Sequence, residues 1–323
     1  MTADAPTADD AWRRRGERLR FLDVARALAV IAMLIANLVN VLPAERPYWL
    51  GHNLGDELLP LDLPAPIFQF LVGVSLPLFL ERRRSGDRFG ARLLAARRFL
   101  LLIALGAVLD GILAHQIELR WGVLQTLGAG GLVAVALADL PDVVVLVIAA
   151  VITATYYGPG NNAVHRSLTD CVPFLALTLV GYVVGHPLAA RHRVAYERRA
   201  VAIALTCLTI SLLLRLGGVP FNKVTGTSSF VLLASAASAT LIAALSALER
   251  RGWRFSDVLV RLGASALTAW VLQYLLVYYP IDLLVGQPLA LPEASGLVAV
   301  VLCVFALSAI TLALARRGIR VPI

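Results

Sequence analysis

Four polar side chains stand close together in YWLGHNLGDELLPLDLPAPIFQFLVG, the stretch from Tyr48 to Gly73: His52, Asp56, Glu57 and Asp62. A neutral imidazole accepts a proton from an attacking amine or hydroxyl, and a nearby carboxylate orients the ring and stabilises the imidazolium. The same residue types also suit a polar external loop with no chemistry in it. A second set, Asp23, Arg26, Val30, Met33 and Asn37, is spaced by alternating threes and fours and therefore shares one helical face. Ionisable groups inside a membrane span cost about 3 kcal/mol at the helix centre, which makes them functional candidates by default. Asp23 and Arg26 can pair across one turn, and Asn37 lies about 21 Å along the axis from Asp23 at 1.5 Å per residue. This stripe is either a structural ion pair with an interhelical hydrogen bond, or the lining of a cavity. Gln69, Asp110, His115, Gln125, Arg215 and Gln273 are further candidates, with Gln125 and Gln273 serving equally well as helix–helix hydrogen bonds.

The elements that must position these groups are membrane helices. Of the 323 residues 59% are hydrophobic, and the mean hydropathy is +0.78; soluble domains hold only about 45–50% apolar residues. Apolar runs occupy 21–41, 65–81, 99–118, 121–138, 142–157, 171–189, 199–217, 228–248, 258–284 and 294–315. The expected fold is therefore all-α, a polytopic transmembrane bundle of about ten helices over 21–315, with polar tails at 1–20 and 316–323. The first run reads as a retained helix rather than a signal peptide, because Asp23 and Arg26 interrupt it and no small-residue cleavage site follows. No internal repeat is visible, which weakens an inverted-repeat transporter reading.

The formal charge of +8 has no soluble basic face on which to act, so nucleic acid is not an expected partner; the lipid bilayer is. With the N-terminus inside, the cytosolic segments hold every Lys and Arg except Arg46, Arg120, Arg166 and Lys223 on the other side and Arg26 and Arg215 within spans. The positive-inside bias thus predicts both termini in the cytosol and His52 outside. Cys171, Cys207 and Cys303 lie scattered in apolar runs and suit packing. No His, Cys and carboxylate set has metal-ligand spacing, so no metal is expected. His165, His186 and His192 sit singly near span ends, and Gly181 with Gly185 forms a small-xxx-small pair suited to close helix packing.

Several stretches carry a family resemblance. LRFLDVARALAVIAMLIAN presents Asp23, Arg26, Met33 and Asn37; His52 is followed ten residues later by Asp62, then by Pro66, Phe68, Phe70 and Gly73. RWGVLQTLG presents Gly122, Val123, Leu124 and Gln125, and FNKVTGTSSFVL presents Asn222, Lys223, Thr227, Ser228 and Ser229. In this order and spacing the chain, from about Leu19 to Tyr279, resembles the transmembrane acyltransferase family that includes lysosomal heparan-α-glucosaminide N-acetyltransferase and its bacterial relatives.

The resemblance implies acetyl-CoA as donor, an amino or hydroxyl group of a sugar-like compound as acceptor, and the inner (plasma) membrane of a bacterium as location. It makes His52 the catalytic histidine, places Asn37 and Asp62 at the same site, and adds to the catalytic set Asp23, which with Arg26 aligns with the start of the family's first helix. Inner-face arginines would hold the donor phosphates, among them Arg26, Arg82, Arg83, Arg84 and Arg261, with Gln125 also assigned to donor binding. Relatives make a homodimer plausible. The chain departs from the family pattern at Ala27 after Arg26, at Thr126 where Arg is common, at Gly226 where Trp is common, and at Gln273 near a common His. These departures bear on which acceptor is used. The rival readings are a transporter or flippase with the Asp23–Asn37 stripe along its path, and a membrane protein without chemistry.

Overall fold

The computed structural model describes residues 19–52, 55–81, 87–115, 121–155 and 168–321. Among these residues all regular structure is helical, apart from one isolated bridge between Pro43 and Leu291. The helices are α1 (Arg20–Val39), α2 (Pro64–Glu81), α3 (Arg88–Leu113), α4 (Val123–Ala136), α5 (Asp142–Thr155) and α6 (Leu168–Ala189). They continue with α7 (Arg193–Leu216), α8 (Ser228–Arg250), α9 (Asp257–Gly263), α10 (Ala266–Gln273), α11 (Tyr279–Val285) and α12 (Glu293–Arg316).

Each of the ten expected apolar segments is helical over its described residues, and among those residues seven helices are long and apolar enough to cross a membrane by length and composition. The exceptions have physical reasons. α4 has 14 residues, about 21 Å of helix against a hydrocarbon core of roughly 30 Å, and α5 is described over the 14 residues Asp142–Thr155. α3 is 26 residues long but carries Arg97, Arg98 and Asp110 among its apolar residues.

The ends of the helices separate into two layers. At one end Arg20 bonds Asp257 and the Phe255 carbonyl, Arg92 pairs with Asp139, and Asp142 pairs with both His186 and Arg199. Arg193 and Arg250 pair there with Glu249 and Glu197. At the other end the segment after α1 pairs with the segment before α12, and His115 pairs with Asp282. Ser228 at the start of α8 donates to the Thr153 carbonyl near the end of α5. The arginine-rich ends thus cluster together, and His52 lies in the opposite layer.

α1, α2, α6 and α8 form the centre, whereas Leu205 and Leu213 of α7 and Leu302 and Phe305 of α12 expose large apolar side chains on the outside. α2 and α6 run parallel in close contact. A Cβ at Gly181 would meet the Phe70 carbonyl, one at Gly185 the Val74 carbonyl, and one at Gly73 the Thr178 carbonyl. Small residues four apart on α6 thus let two backbones approach where larger side chains would hold them apart.

The segment expected as one helix over 258–284 is broken. α9 ends at Gly263, whose Cα packs onto the α1 backbone at Asp23, and Tyr274–Tyr278 forms a π-helical turn between α10 and α11. Pro280 explains the turn: it has no N–H for the Leu276 carbonyl, and its ring crowds that position, so the hydrogen-bond register widens.

The α2–α6 contact makes Gly73→Ala a sensitive probe. The substitution should destabilise the protein by about 1–3 kcal/mol through overpacking, measured as a lowered unfolding midpoint in detergent. Gly217→Ala is the control: position 217 has φ −75° and only ordinary contacts, and its midpoint should barely move.

Candidate active site

The site is built around a buried carboxylate. Asp62 closes a short helical turn, Pro60–Asp62, whose first residue Pro60 pre-sets the backbone angle. The turn brings the Leu59 N–H back onto Asp62 Oδ2 at 3.0 Å, and Asp62 is only 1% exposed. Its other oxygen, Oδ1, faces His52 Nδ1 at 3.1 Å. The expected His52–Asp62 pair therefore forms.

A third charged group joins them from far along the chain. Lys223 Nζ lies 3.1 Å from His52 Nδ1 and 3.5 Å from Asp62 Oδ1. It comes from the loop between α7 and α8, which Asn222 and Thr227 hold in shape. The Asn222 N–H donates to Thr227 Oγ1 at 3.1 Å, the Thr225 N–H donates to Asn222 Oδ1 at 3.0 Å, and Thr227 Oγ1 donates to the Pro220 carbonyl at 2.7 Å. Asn222 Nδ2 donates to Asp56 Oδ1 at 2.9 Å, which ties this loop to the segment carrying His52. Gly226 has φ +62°, and its Cα faces the Pro173 ring. Glycine suits this turn in both respects, which gives the departure at 226 a local reason.

Burial pushes the Lys223 amine below its ordinary value of 10.5, while Asp62 pulls it back up. Taking an ammonium out of water is expensive, and the neighbouring carboxylate offsets only part of that. Lys223 also lines a cavity of about 20 Å³ with Pro66 and Gln69 of α2, Val123 and Thr126 of α4, and Phe174 of α6. That is room for about one water. Beneath it Gln69 Nε2 donates to the Thr126 carbonyl at 3.1 Å and to Thr178 Oγ1 at 2.5 Å, joining the three helices.

A cavity of about 360 Å³ lies at the arginine-rich end of the same α2–α6 seam, lined by Pro77, Leu80, Arg88, Arg92, Tyr182 and His186 among others. The eleven residues from Pro66 to Pro77 put the two cavities about 16 Å apart along α2.

The other expected site residues sit elsewhere. Among the described residues no hydrogen bond joins Asn37 to His52; Asn37 Nδ2 donates to Gln273 Oε1 at 3.2 Å, and Gln273 Nε2 donates to the Tyr278 hydroxyl at 2.9 Å. Arg26 bonds Asp23 at 2.8 Å and Ser75 Oγ of α2 at 2.5 Å, so this pair clamps α1 to α2. Gln125 is fully buried and donates to Asp110 Oδ2 at 2.9 Å, while the Tyr274 hydroxyl donates to Asp110 Oδ1 at 2.7 Å. Arg261 is exposed on α9 at the arginine-rich end. Arg82, Arg83 and Arg84 lie outside the described residues. Lys223 and Asn222 stood out in the sequence only within the NK…TSS stretch; Lys223 as one of the few cations away from the arginine-rich segments was the available signal.

A family model described as heparan-alpha-glucosaminide N-acetyltransferase, catalytic, matches residues 18–213, which takes in α1 to most of α7 together with His52 and Asp62. No curated protein matches the chain.

The depressed Lys223 gives a signed pH dependence. Between its value in the folded protein and the ordinary 10.5, the unfolded chain binds more protons at this site, so its contribution to stability rises as pH increases through that window. The difference in unfolding midpoint between wild type and Lys223→Met should therefore change with alkaline pH in favour of wild type. A difference independent of pH would count against a buried, titrating amine.

Proposed function

The chain belongs to the heparan-alpha-glucosaminide N-acetyltransferase catalytic family, and from that premise we propose that it is an integral membrane enzyme transferring an acetyl group from cytosolic acetyl-CoA to an amino or hydroxyl group of a sugar-like acceptor at the opposite face. The observation that carries the reading is the His52–Asp62 pair at 3.1 Å, half-sheltered at the helix ends remote from the arginines. The positive-inside bias favours the arginine-rich end as cytosolic; a bacterial inner membrane is part of the same reading.

With Nδ1–H donating to Asp62, the Nε2 lone pair of His52 is the base. It takes the proton from the acceptor N–H or O–H as that atom attacks the thioester carbonyl. The tetrahedral adduct then collapses, the C–S bond breaks, and the imidazolium returns its proton to the departing thiolate. Asn37 can support the oxyanion only if its amide leaves Gln273. Transfer through an acetylated His52 is the two-step variant of the same site.

The donor must reach this ring from the cytosol. The larger cavity beside Arg88 and Arg92 offers a volume within the roughly 300–1,000 Å³ range of small-molecule sites. The smaller one under Lys223 does not hold a pantetheine arm, so the Gln69–Thr178 and Gln69–Thr126 contacts have to part for the thioester to arrive.

Purified protein with labelled acetyl-CoA and a panel of amino sugars should yield acetylated product. His52→Ala should lower transfer by about 10²–10⁴-fold while the protein still expresses and folds; full activity in that variant removes the mechanism. Orientation is tested separately. Reporter fusions truncated after Gly252 should be active only as cytosolic reporters, and those after Gly218 only as exported ones; the reverse pattern would put His52 in the cytosol.

A further inference from the structure

His52 Nδ1 has two neighbours at the same 3.1 Å distance that ask opposite things of it. Asp62 Oδ1 can only accept, so it favours a hydrogen on Nδ1 and a positive ring. The Lys223 ammonium can only donate, so it favours a bare Nδ1 and a neutral ring. Asp62 Oδ2 is already held by the Leu59 N–H, which leaves Oδ1 to serve both partners. When Oδ1 accepts from Nδ1–H and from Lys223 together, the carboxylate and ammonium balance and the ring is left uncharged with Nε2 open.

We propose that Lys223 is a positioning residue for the His52 base: its ammonium offsets the Asp62 charge, so that Asp62 can fix the ring's tautomer without holding it as the imidazolium. This rests on the reading of His52 as the base. An Asp–His pair alone stabilises the protonated ring, which is no longer a proton acceptor. A cation on the same carboxylate oxygen removes that penalty while keeping the orientation.

The surroundings support this division of labour. Lys223 reaches the pair across 171 residues of chain, through a loop tied down by Asn222, Thr225 and Thr227 and docked on Asp56. Asp56 is engaged by Asn222, and Glu57 accepts from the Tyr48 hydroxyl. The residues that α2, α4 and α6 bring to the adjoining cavity are all uncharged. Among the described residues, then, Asp62 and Lys223 are the two charged groups in contact with the ring. Because burial lowers the Lys223 amine, the offset has an upper pH limit, beyond which Lys223 is neutral and Asp62 acts alone.

The test reads the imidazole directly and needs no acceptor. The chain has five histidines, so protein labelled with ¹³C,¹⁵N-histidine gives a small set of ring signals, with His52 assigned by its loss in His52→Gln. In Lys223→Met the His52 titration midpoint should rise by about 1–2 pH units relative to wild type, and in Asp62→Asn it should fall by a similar amount. Lys223→Arg, which keeps the charge, should stay near wild type, and the double variant Asp62→Asn/Lys223→Met should return close to it. The ¹⁵N shifts should place the hydrogen on Nδ1 in wild type. An unmoved midpoint in Lys223→Met, with the fold intact by its unfolding midpoint, overturns the proposal and leaves Lys223 a structural anchor; so does a hydrogen found on Nε2 in wild type. Should Lys223→Met fail to fold, the Lys223→Arg and Asp62→Asn midpoints decide: a shift in the former, or none in the latter, overturns it. Failure of acetyl transfer with these shifts intact would instead defeat the enzymatic reading alone.

Discussion

A carboxylate buried to 1% exposure at the mouth of an apolar bundle must be compensated, and the organisation of this site follows from that requirement. Asp62 draws one backbone N–H from its own turn, one imidazole from ten residues upstream and one ammonium from the far side of α7. Each compensating group fixes a different piece of chain. The Leu59 N–H sets the turn that enters α2, His52 anchors the segment after α1, and Lys223 holds the α7–α8 loop over the helix ends. Charge compensation and ring orientation are therefore one arrangement.

Below this mouth the bundle is held by contacts that leave little space. The glycines of α6 lie against carbonyls of α2, and Gln69 joins α2 to α4 and α6. The two cavities at the ends of this seam differ in size by more than tenfold, with the larger remote from His52. On the proposed acetyl-transfer reading, a thioester brought from one end to the other requires the helices to separate along this seam.

The polar residues inside the bundle divide by role once their partners are known. Asp23 with Arg26 and Ser75, and Asp110 with Gln125 and Tyr274, are interhelical clamps. Asn37 belongs to a third group with Gln273 and Tyr278, next to the π-helical turn that Pro280 imposes. The stripe on α1 is real as a helical face, but its members serve different neighbours at different depths.

Hydropathy and periodicity in the sequence determined that the chain is helical and where its apolar segments lie, because burial in lipid demands long runs with backbone hydrogen bonds satisfied within each helix. The residues alone left Asp56, Glu57 and Asp62 open as partners of His52, and it was the family resemblance that singled out Asp62. Only the tertiary structure decided that α10 gives way to a π-helical turn and that Asn37 faces Gln273 instead of His52. It alone brought in Lys223. A local pattern records which face a side chain occupies, whereas the partner of a buried charge is chosen by how distant segments pack, and 171 residues of intervening chain carry no spacing signal for that choice.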